Sequence, residues 1–237
     1  MERQAELDLQ ILARTELFRG VDSVTLMEAR DTSFKRRLST GEVLFNQGDS
    51  SSKFYIVIVG RLRATQTTSD GQQVIIRYVG PGEFVGFTAL SSGANHPGTA
   101  TAVEESHLIG WDVSTIRPLM EKHSIIAINA LSVLGDRYHE MQTRLREIAT
   151  ERVEQRIAHA LLRLAKHAGR STPTGLEIAI PLSRQDLAEM SGTTLHTVSR
   201  VLSNWEGSEL VDTGRRRVVV RNASALERIA ATEAAKS

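Results

Sequence analysis

The stretch that decides the fold is PLSRQDLAEMSGTTLHTVSRVLSNWEGSEL, residues 181–210. It contains two helical patterns separated by a turn at Gly192. Ser183 can cap the first helix, with Asp186 three residues on to complete a capping box, and Thr194 can cap the second. Two short helices joined by a tight glycine turn predict a helix-turn-helix, whose second member enters the major groove of DNA.

The second helix of this pair has one apolar side and one polar side. Its apolar residues recur at helical spacing and are Val198, Val201, Leu202 and Trp205. Off that face, near the end that a groove would meet, lie Leu195, His196, Ser199 and Arg200. An ordinary helical hairpin inside a core would show a similar apolar stripe, so this stretch alone leaves that alternative open.

The segments on either side favour a winged version of the motif. Asp212-Thr213-Gly214 is a turn signal, and the β-branched run that ends at Arg221 follows it, which predicts a hairpin. Leu176–Ile180 is a further strand candidate upstream. An arginine cluster beside a recognition helix is placed to contact phosphates. The predicted DNA-binding residues are Ser183, Thr194, Leu195, His196, Ser199, Arg200, Arg215, Arg216 and Arg217.

The first half of the chain shows a sequence pattern typical of short β-strands. Between Arg37 and Trp111, β-type runs alternate with glycines, which is typical of a sandwich or roll. The unbroken apolar run Phe54–Val59 predicts a buried strand. Asp70-Gly71, between two further strand patterns, predicts a hairpin.

A heptad pattern follows the strand-rich half. Apolar residues alternate in steps of four and three, at Ala127, Leu131, Leu134, Tyr138, Met141, Leu145 and Ile148. Such a seam predicts a helix that pairs with its own copy in a parallel homodimer. A helix packed on its own roll would show the same stripe, and that reading stays open. We expect a hinge at Thr150-Glu151, with an amphipathic helix from Arg152 to His167 behind it.

Composition excludes several classes of protein. The sequence contains no cysteine, which rules out disulfides, thiolate metal sites and iron–sulfur clusters held by cysteine. No apolar run approaches the ~18 residues of a membrane span. The polar, acidic N-terminus is unlike a signal peptide, and we expect a cytoplasmic protein. Residues 152–222 carry eleven Lys and Arg against seven Asp and Glu, so the positive charge is concentrated where DNA would bind.

Catalytic and metal motifs are missing from the sequence. It has no HExxH, nucleophile elbow or P-loop, so an enzyme is not predicted. His123, His139, His159 and His167 lie among charged residues on helical segments, where solvent exposure is expected. His96 and His107 lie in the strand-rich half, and haem remains an open alternative for the otherwise unknown cofactor.

The run LSRQDLAEMSGTTLHTVSRVLSNWE resembles the helix-turn-helix of the CRP/FNR family of bacterial transcription regulators, most specifically at Thr197-Val198-Ser199-Arg200. The segments GEVLFNQGDSSSKFYIVIVGRLRA and GPGEFVGFTAL resemble the cyclic-nucleotide-binding β-roll of the same family. The resemblance covers nearly the whole chain. It implies an α+β protein: a double-stranded β-helix (jelly-roll) sensor domain over residues 1–120, a dimerisation helix over 121–149 and a winged helix-turn-helix over 150–237.

The resemblance also implies an altered effector pocket. In that family a Gly-Glu pair binds the ribose and an Arg-Ser or Arg-Thr pair binds the cyclic phosphate. Here the glutamate position is Phe87, after Gly86, and the Arg-Ser pair falls on His96-Pro97. The base-contacting helix positions fall on Met141 and Gln142. Because Phe87 and Pro97 offer no side-chain hydrogen bond, we expect an effector other than cyclic AMP.

The resemblance therefore implies a homodimer that binds a palindromic operator in double-stranded DNA, contacts RNA polymerase and responds to an unidentified small effector. A cyclic-nucleotide-binding signalling protein and a haem-based gas sensor are the alternatives. The family's final arginine of the Thr-Val-Ser-Arg run reaches a guanine, and here it is Arg200. His196 replaces the family's glutamate, and Leu195 could contact a thymine methyl, which predicts a TTG-type half-site.

Overall fold

The computed structural model describes residues 9–90 and 95–231. Its contacts divide the chain into two compact units: the first ends at Glu140 but excludes Gln73–Ile75, and the second comprises Gln73–Ile75 and the residues from Met141 onward. The first unit contains a β-roll of two four-stranded sheets. Its strands are β1 (Phe34–Leu38), β2 (Val43–Phe45), β3 (Lys53–Val59), β4 (Leu62–Thr67), β5 (Gln73–Val79), β6 (Phe84–Val85), β7 (Thr99–Ala102) and β8 (Ser106–Asp112). One sheet has the order β1-β8-β3-β6 and the other β2-β7-β4-β5. This confirms the strand-rich first half.

Strand β3 is buried on both faces. Phe54 and Ile56 belong to a core cluster with Trp111, whereas Tyr55 and Val57 belong to a second cluster with residues of the other sheet. Successive side chains of a strand point to opposite faces, so covering both faces requires a continuous apolar run. The predicted strand is confirmed, and its burial is confirmed for Phe54–Val57, whereas Ile58 is half-buried and Val59 is exposed. The predicted β4–β5 hairpin is confirmed too, and the amide of Thr68 donates to the carbonyl of Gln72 across it (2.9 Å).

Helices flank the roll. They are α1 (Ser23–Asp31), α2 (Val113–Lys122) and the 27-residue α3 (Ser124–Thr150), which is about 40 Å long at 1.5 Å per residue. Residues 9–13 are also helical. The first turns of α3 bury Ile126, Ala130 and Val133 in the Trp111 cluster. One side of α3 therefore packs on its own roll, through buried residues that are not members of the heptad pattern.

The second unit combines helices with a small antiparallel sheet. Its elements after α3 are α4 (Val153–Ala168), β9 (Gly169–Thr172), β10 (Gly175–Ile178), α5 (Arg184–Ser191), α6 (Leu195–Gly207), β11 (Val211–Gly214), β12 (Arg217–Val220) and α7 (Ala223–Ala231). The sheet order is β11-β12-β10-β9. The core of this unit contains Leu161, Leu187, Val198, Leu202 and Leu226, each fully buried. A helix-turn-helix followed by a β-hairpin is a winged helix-turn-helix, as predicted.

Within the described ranges, no helix combines the length and apolarity that crossing a bilayer demands.

Candidate nucleic-acid interface and effector pocket

Local hydrogen bonds define both ends of the helix-turn-helix. The hydroxyl of Ser183 accepts from the amide of Asp186 (3.0 Å), and the carboxylate of Asp186 accepts from the amide of Ser183 (2.7 Å), which is the predicted capping box. Gly192 ends α5 in the left-handed region with φ = 60°. Thr194 then caps α6 by accepting from the amide of Thr197 (3.2 Å).

The exposed face of α6 is the predicted one. Val198, Val201, Leu202 and Trp205 are buried. At the first turns of the helix, Leu195 is 48 % exposed, His196 and Arg200 are exposed, and Ser199 is half-buried. An exposed large apolar residue at the start of a capped helix is available to a partner surface. By contrast, the hydroxyl of Ser183 also donates to Asp186 (2.6 Å), so this predicted DNA contact is engaged in its own cap.

Arg156 on α4 stabilises the turn of the helix-turn-helix, a role that the sequence did not predict. Its Nε donates to the carbonyl of Ser191 (2.9 Å) and its Nη2 to the carbonyl of Gly192 (3.1 Å), while Nη1 donates to the carbonyl of Glu151 (3.2 Å). These carbonyls lie where helices end and lack helical partners. A charged fork satisfying all three fixes the turn that precedes α6.

The wing carries the arginine cluster, and its three members differ. Arg215 and Arg216 form the exposed tip of the β11–β12 hairpin, where Arg216 has φ = 56°. Arg217 is ion-paired with Glu177 (3.3 Å) and Asp212 (3.1 Å). Both acidic residues draw the guanidinium of Arg217 onto the sheet, so the charge at the tip is concentrated on the other two arginines.

The wing is also joined to the recognition helix. Glu206 at the end of α6 accepts from the amide (2.9 Å) and the hydroxyl (2.6 Å) of Thr213 on β11. Arg184 at the start of α5 donates to the same hydroxyl (3.3 Å). The three elements that would meet DNA are therefore connected through a single threonine side chain.

A small polar cluster of Ser51, Thr88 and His96 joins the two segments that hold the predicted effector residues of the roll. Gly86 has φ = 84°, and a Cβ there would come within 2.5 Å of the carbonyl of Lys53, so only glycine fits. Phe87 begins a 3₁₀ turn (Phe87–Leu90) and packs partly against the Trp111 core cluster. The hydroxyl of Ser51 lies 3.1 Å from Thr88 Oγ1 and 3.4 Å from His96 Nδ1, which brings the turn and His96 together.

His96 is itself buried, with 5 % of its surface exposed. Its ring stacks on Phe45 with centroids 3.7 Å apart and planes 7° from parallel. Burial lowers the pKa of His96, and the charge of Asp49 opposes that shift. Pro97 follows in an exposed position, and its carbonyl accepts from Gln66 Nε2 (2.9 Å). The imidazole of His96 is therefore buried in a ring-stacking contact with Phe45 and is largely shielded from solvent.

All but two of the predicted seam residues are exposed on α3. Ala127 packs partly against the Trp111 cluster, and Leu134 is half-buried. The other members are largely exposed: Leu131 67 %, Tyr138 59 %, Met141 61 %, Leu145 68 % and Ile148 55 %. Gln142, beside Met141, is exposed as well. Ile128, 54 % exposed, extends this stripe and was missed by the heptad count, because the roll cluster takes up Ala127.

The histidines do not form a recognisable metal centre. Across residues 9–90 and 95–231, no group of three or more His, Asp or Glu side chains could hold a metal ion. His107 contacts Glu105 (3.2 Å) at the surface of β8. His123 and His159 were expected on solvated faces, yet both are partly buried against carboxylates, Glu28 and Glu151 respectively.

Comparison with known proteins matches both halves of the chain. Residues 35–123 match the cyclic nucleotide-binding domain, and residues 155–229 match the Crp-like helix-turn-helix domain. The Cyclic AMP receptor protein of Thermus thermophilus is 32% identical over 198 residues, covering 83% of this chain and 88% of that protein. The nitrogen fixation regulation protein FixK of Rhizobium meliloti is 31% identical over 171 residues, covering 72% and 74%.

A solved structure shows the same fold. A transcriptional regulator of the CRP family from Thermus thermophilus superimposes with a TM-score of 0.71 at 26% identity, covering 84% of this chain and 97% of that one.

A β-roll joined through a long helix to a winged helix-turn-helix is the architecture of a DNA-binding transcription regulator. Its relatives are regulators rather than enzymes, which agrees with the missing catalytic motifs. The chain belongs to the CRP/FNR family of transcription regulators.

Proposed function

We propose that this protein regulates transcription as a homodimer that binds an inverted-repeat operator through α6. The main support for this proposal is the exposed surface of the first half of α6. There Leu195, His196 and Arg200 project from a capped helix whose other face is buried. Helix-turn-helix dimers place such helices in successive major grooves, about 34 Å apart.

The dimer forms through the exposed stripe of α3 that contains Leu131, Tyr138, Met141, Leu145 and Ile148. An apolar surface of this length on a single helix is unusual for a monomer, and its heptad spacing fits a second identical helix. The two half-sites of the operator would then mirror the two-fold symmetry of the protein.

The recognition residues predict an operator sequence. The guanidinium of Arg200 matches the O6 and N7 acceptors of guanine, and Leu195 suits a thymine methyl. A neutral His196 is a poorer acceptor than glutamate for a cytosine amino group. We therefore expect a TTG-type half-site, with Thr194 and Ser199 making nearby polar contacts and Arg215 and Arg216 contacting phosphates.

The effector is a small molecule other than cyclic AMP. A relative carries the name Cyclic AMP receptor protein, but here His96 is stacked on Phe45 and Phe87 packs on the core, at two of the positions that would bind the nucleotide. A buried cyclic phosphate without a charged partner would be poorly compensated.

In this proposal residues 1–120 sense the effector, 121–149 dimerise and 150–237 bind DNA, with a hinge at Thr150-Glu151. The effector changes how the roll packs on α3, and the hinge then sets the separation of the two recognition helices. DNA-bound dimers would contact RNA polymerase in the cytoplasm.

Selection of binding sites from random duplex DNA tests the proposal. Recovery of an inverted repeat with a guanine in each half is expected. Recovered sites with a single, unrepeated element would contradict the dimer, and repeats without the guanine would contradict the role of Arg200.

A further inference from the structure

The end of α3 is fastened to α4 by a buried ion pair that none of the proposed DNA contacts uses. Glu147 is 3 % exposed. Both of its carboxylate oxygens accept from one guanidinium nitrogen of Arg163, Nη1, at 2.7 Å and 2.8 Å. Arg163 lies on α4, beyond the two-residue break that separates the two helices.

Further contacts surround this pair. His159 on α4 lies between the two carboxylates at the end of α3, with Nδ1 3.9 Å from Glu147 and Nε2 3.3 Å from Glu151. Arg156, which holds the helix-turn-helix turn, also donates to the carbonyl of Glu151. A continuous set of polar contacts therefore runs from the last turns of α3 to the turn before α6.

The ion pair resists movement at the junction for an electrostatic reason. Separating α4 from the end of α3 would leave Glu147 buried without its cation, and an unpaired buried charge is strongly unfavourable. An apolar pair of similar volume would stabilise the fold equally well or better. The contribution specific to this ion pair is therefore geometric, because the two short bonds from Arg163 Nη1 to Glu147 tie one position of α4 to one position near the end of α3.

We propose that Glu147 and Arg163 are positioning residues for operator recognition. They fix the direction in which α4 leaves α3, and so hold the two recognition helices of a dimer at one separation. This inference rests on the proposed homodimer with two half-sites. It predicts that the pair determines how strictly the protein discriminates between operators of different half-site spacing.

The experiment uses the full-length protein and the inverted repeat selected by the wild type, together with duplexes in which the half-sites are moved apart by one or two base pairs. Each added base pair shifts a half-site by about 3.4 Å and rotates it by about 35°. We expect Glu147→Gln to lower the affinity ratio between native and altered spacing by at least about fivefold. Glu154→Gln is the matched control, since Glu154 is exposed at the start of α4 and its loss changes the net charge identically.

The double variant Glu147→Gln/Arg163→Met distinguishes loss of the ion pair from a folding defect, because it leaves neither residue as a buried, unpaired charge. It should show the same loss of spacing discrimination. An equal loss of affinity at all spacings would indicate a purely structural role and overturn the inference, as would unchanged discrimination in both variants. Monomeric wild type in sedimentation, or selected sites without a repeat, would instead overturn the proposed dimer and this inference with it.

Discussion

Substitution of Arg200 tests whether this single side chain recognises a base of the operator. Arg200 is exposed on the second turn of α6 and lies two residues beyond the buried Val198. Because its guanidinium can donate to both acceptors of a guanine, Arg200→Ala should cost about 1–3 kcal/mol of binding free energy per half-site and relax the preference at one base pair of each half-site. Competition titrations against operators substituted at each position would measure this. A uniform loss at every position would mean that Arg200 contacts phosphate.

His96 makes the stability of the roll depend on pH. Burial holds its pKa below 6.5, the value expected in the unfolded chain. As the pH falls through 6.5 towards that lower pKa, the unfolded state binds a proton that the native state does not, so the free energy of unfolding decreases. His96→Gln should reduce this loss.

Urea unfolding at about pH 7.5 and about pH 5.5 checks that expectation. His167→Gln, at an exposed position of α4, is the control. If His96→Gln loses as much stability as the wild type over this interval, another group is responsible for the acid sensitivity.

The three arginines of the wing should contribute unequally to DNA binding. Arg215 and Arg216 lie at the exposed tip, whereas the charge of Arg217 is already paired. Arg215→Ala and Arg216→Ala should each reduce the slope of log K against log salt by about 2, because each removes one phosphate contact from each of the two protomers of the proposed dimer. Arg217→Ala should change the slope less, since Glu177 and Asp212 already neutralise its charge. Equal slope changes for the three variants would show that Arg217 leaves its ion pairs on DNA.

The stripe on α3 is tested by Leu145→Lys. This residue is 68 % exposed in the single chain, and the proposed dimer would bury it against its own copy. Burying two like charges at a symmetric position carries a penalty of several kcal/mol per ion, so the variant should sediment as a monomer and lose operator binding. Ser132→Lys, on the same helix but off the stripe, should remain a dimer. Dimeric Leu145→Lys would place the interface elsewhere.

Local elements could be predicted from the sequence because their causes are local. The caps at Ser183 and Thr194 and the glycine turn at Gly192 involve residues no more than four positions apart. The heptad stripe on α3 repeats over short distances as well. Short-range hydrogen bonds and side-chain periodicity leave a signature that a single sequence preserves.

Contacts between elements could not be predicted in the same way. Arg156 meets carbonyls 35 and 36 residues away, and Glu147 meets an arginine 16 residues away across a helix end. His96 stacks on Phe45 from a separate segment of the roll. Each depends on how two elements pack, and charged residues on a helix are more often solvated, so their composition gives no distinctive pattern. The surface proposed to contact DNA could therefore be predicted from the sequence, whereas the groups that hold it in place could not.

At the scale of the whole molecule, the decisive question is whether cyclic AMP controls DNA binding. In the proposed effector pocket, Phe87, His96 and Pro97 stand at the positions where a cyclic nucleotide would need a carboxylate, a cation and a hydroxyl. Calorimetry on the full-length protein should therefore detect no binding tighter than about 10 μM, roughly 7 kcal/mol. The effector and the operator are linked thermodynamically, so a ligand that does not bind cannot alter operator affinity. Gel shifts with and without cyclic AMP should give the same operator affinity.

The triple variant Phe87→Glu/His96→Arg/Pro97→Ser is the complementary experiment, since it introduces the carboxylate, the cation and the hydroxyl that cyclic AMP would need in the proposed pocket. The guanidinium introduced by His96→Arg can keep the stack on Phe45, because guanidinium groups pack on aromatic faces as imidazoles do. The variant should gain measurable affinity for cyclic AMP, and any accompanying change in operator affinity would report whether the roll, α3 and α6 communicate. Micromolar binding by the wild type would mean that other groups of the roll hold the phosphate. His96, made cationic at low pH, would then be the first residue to test.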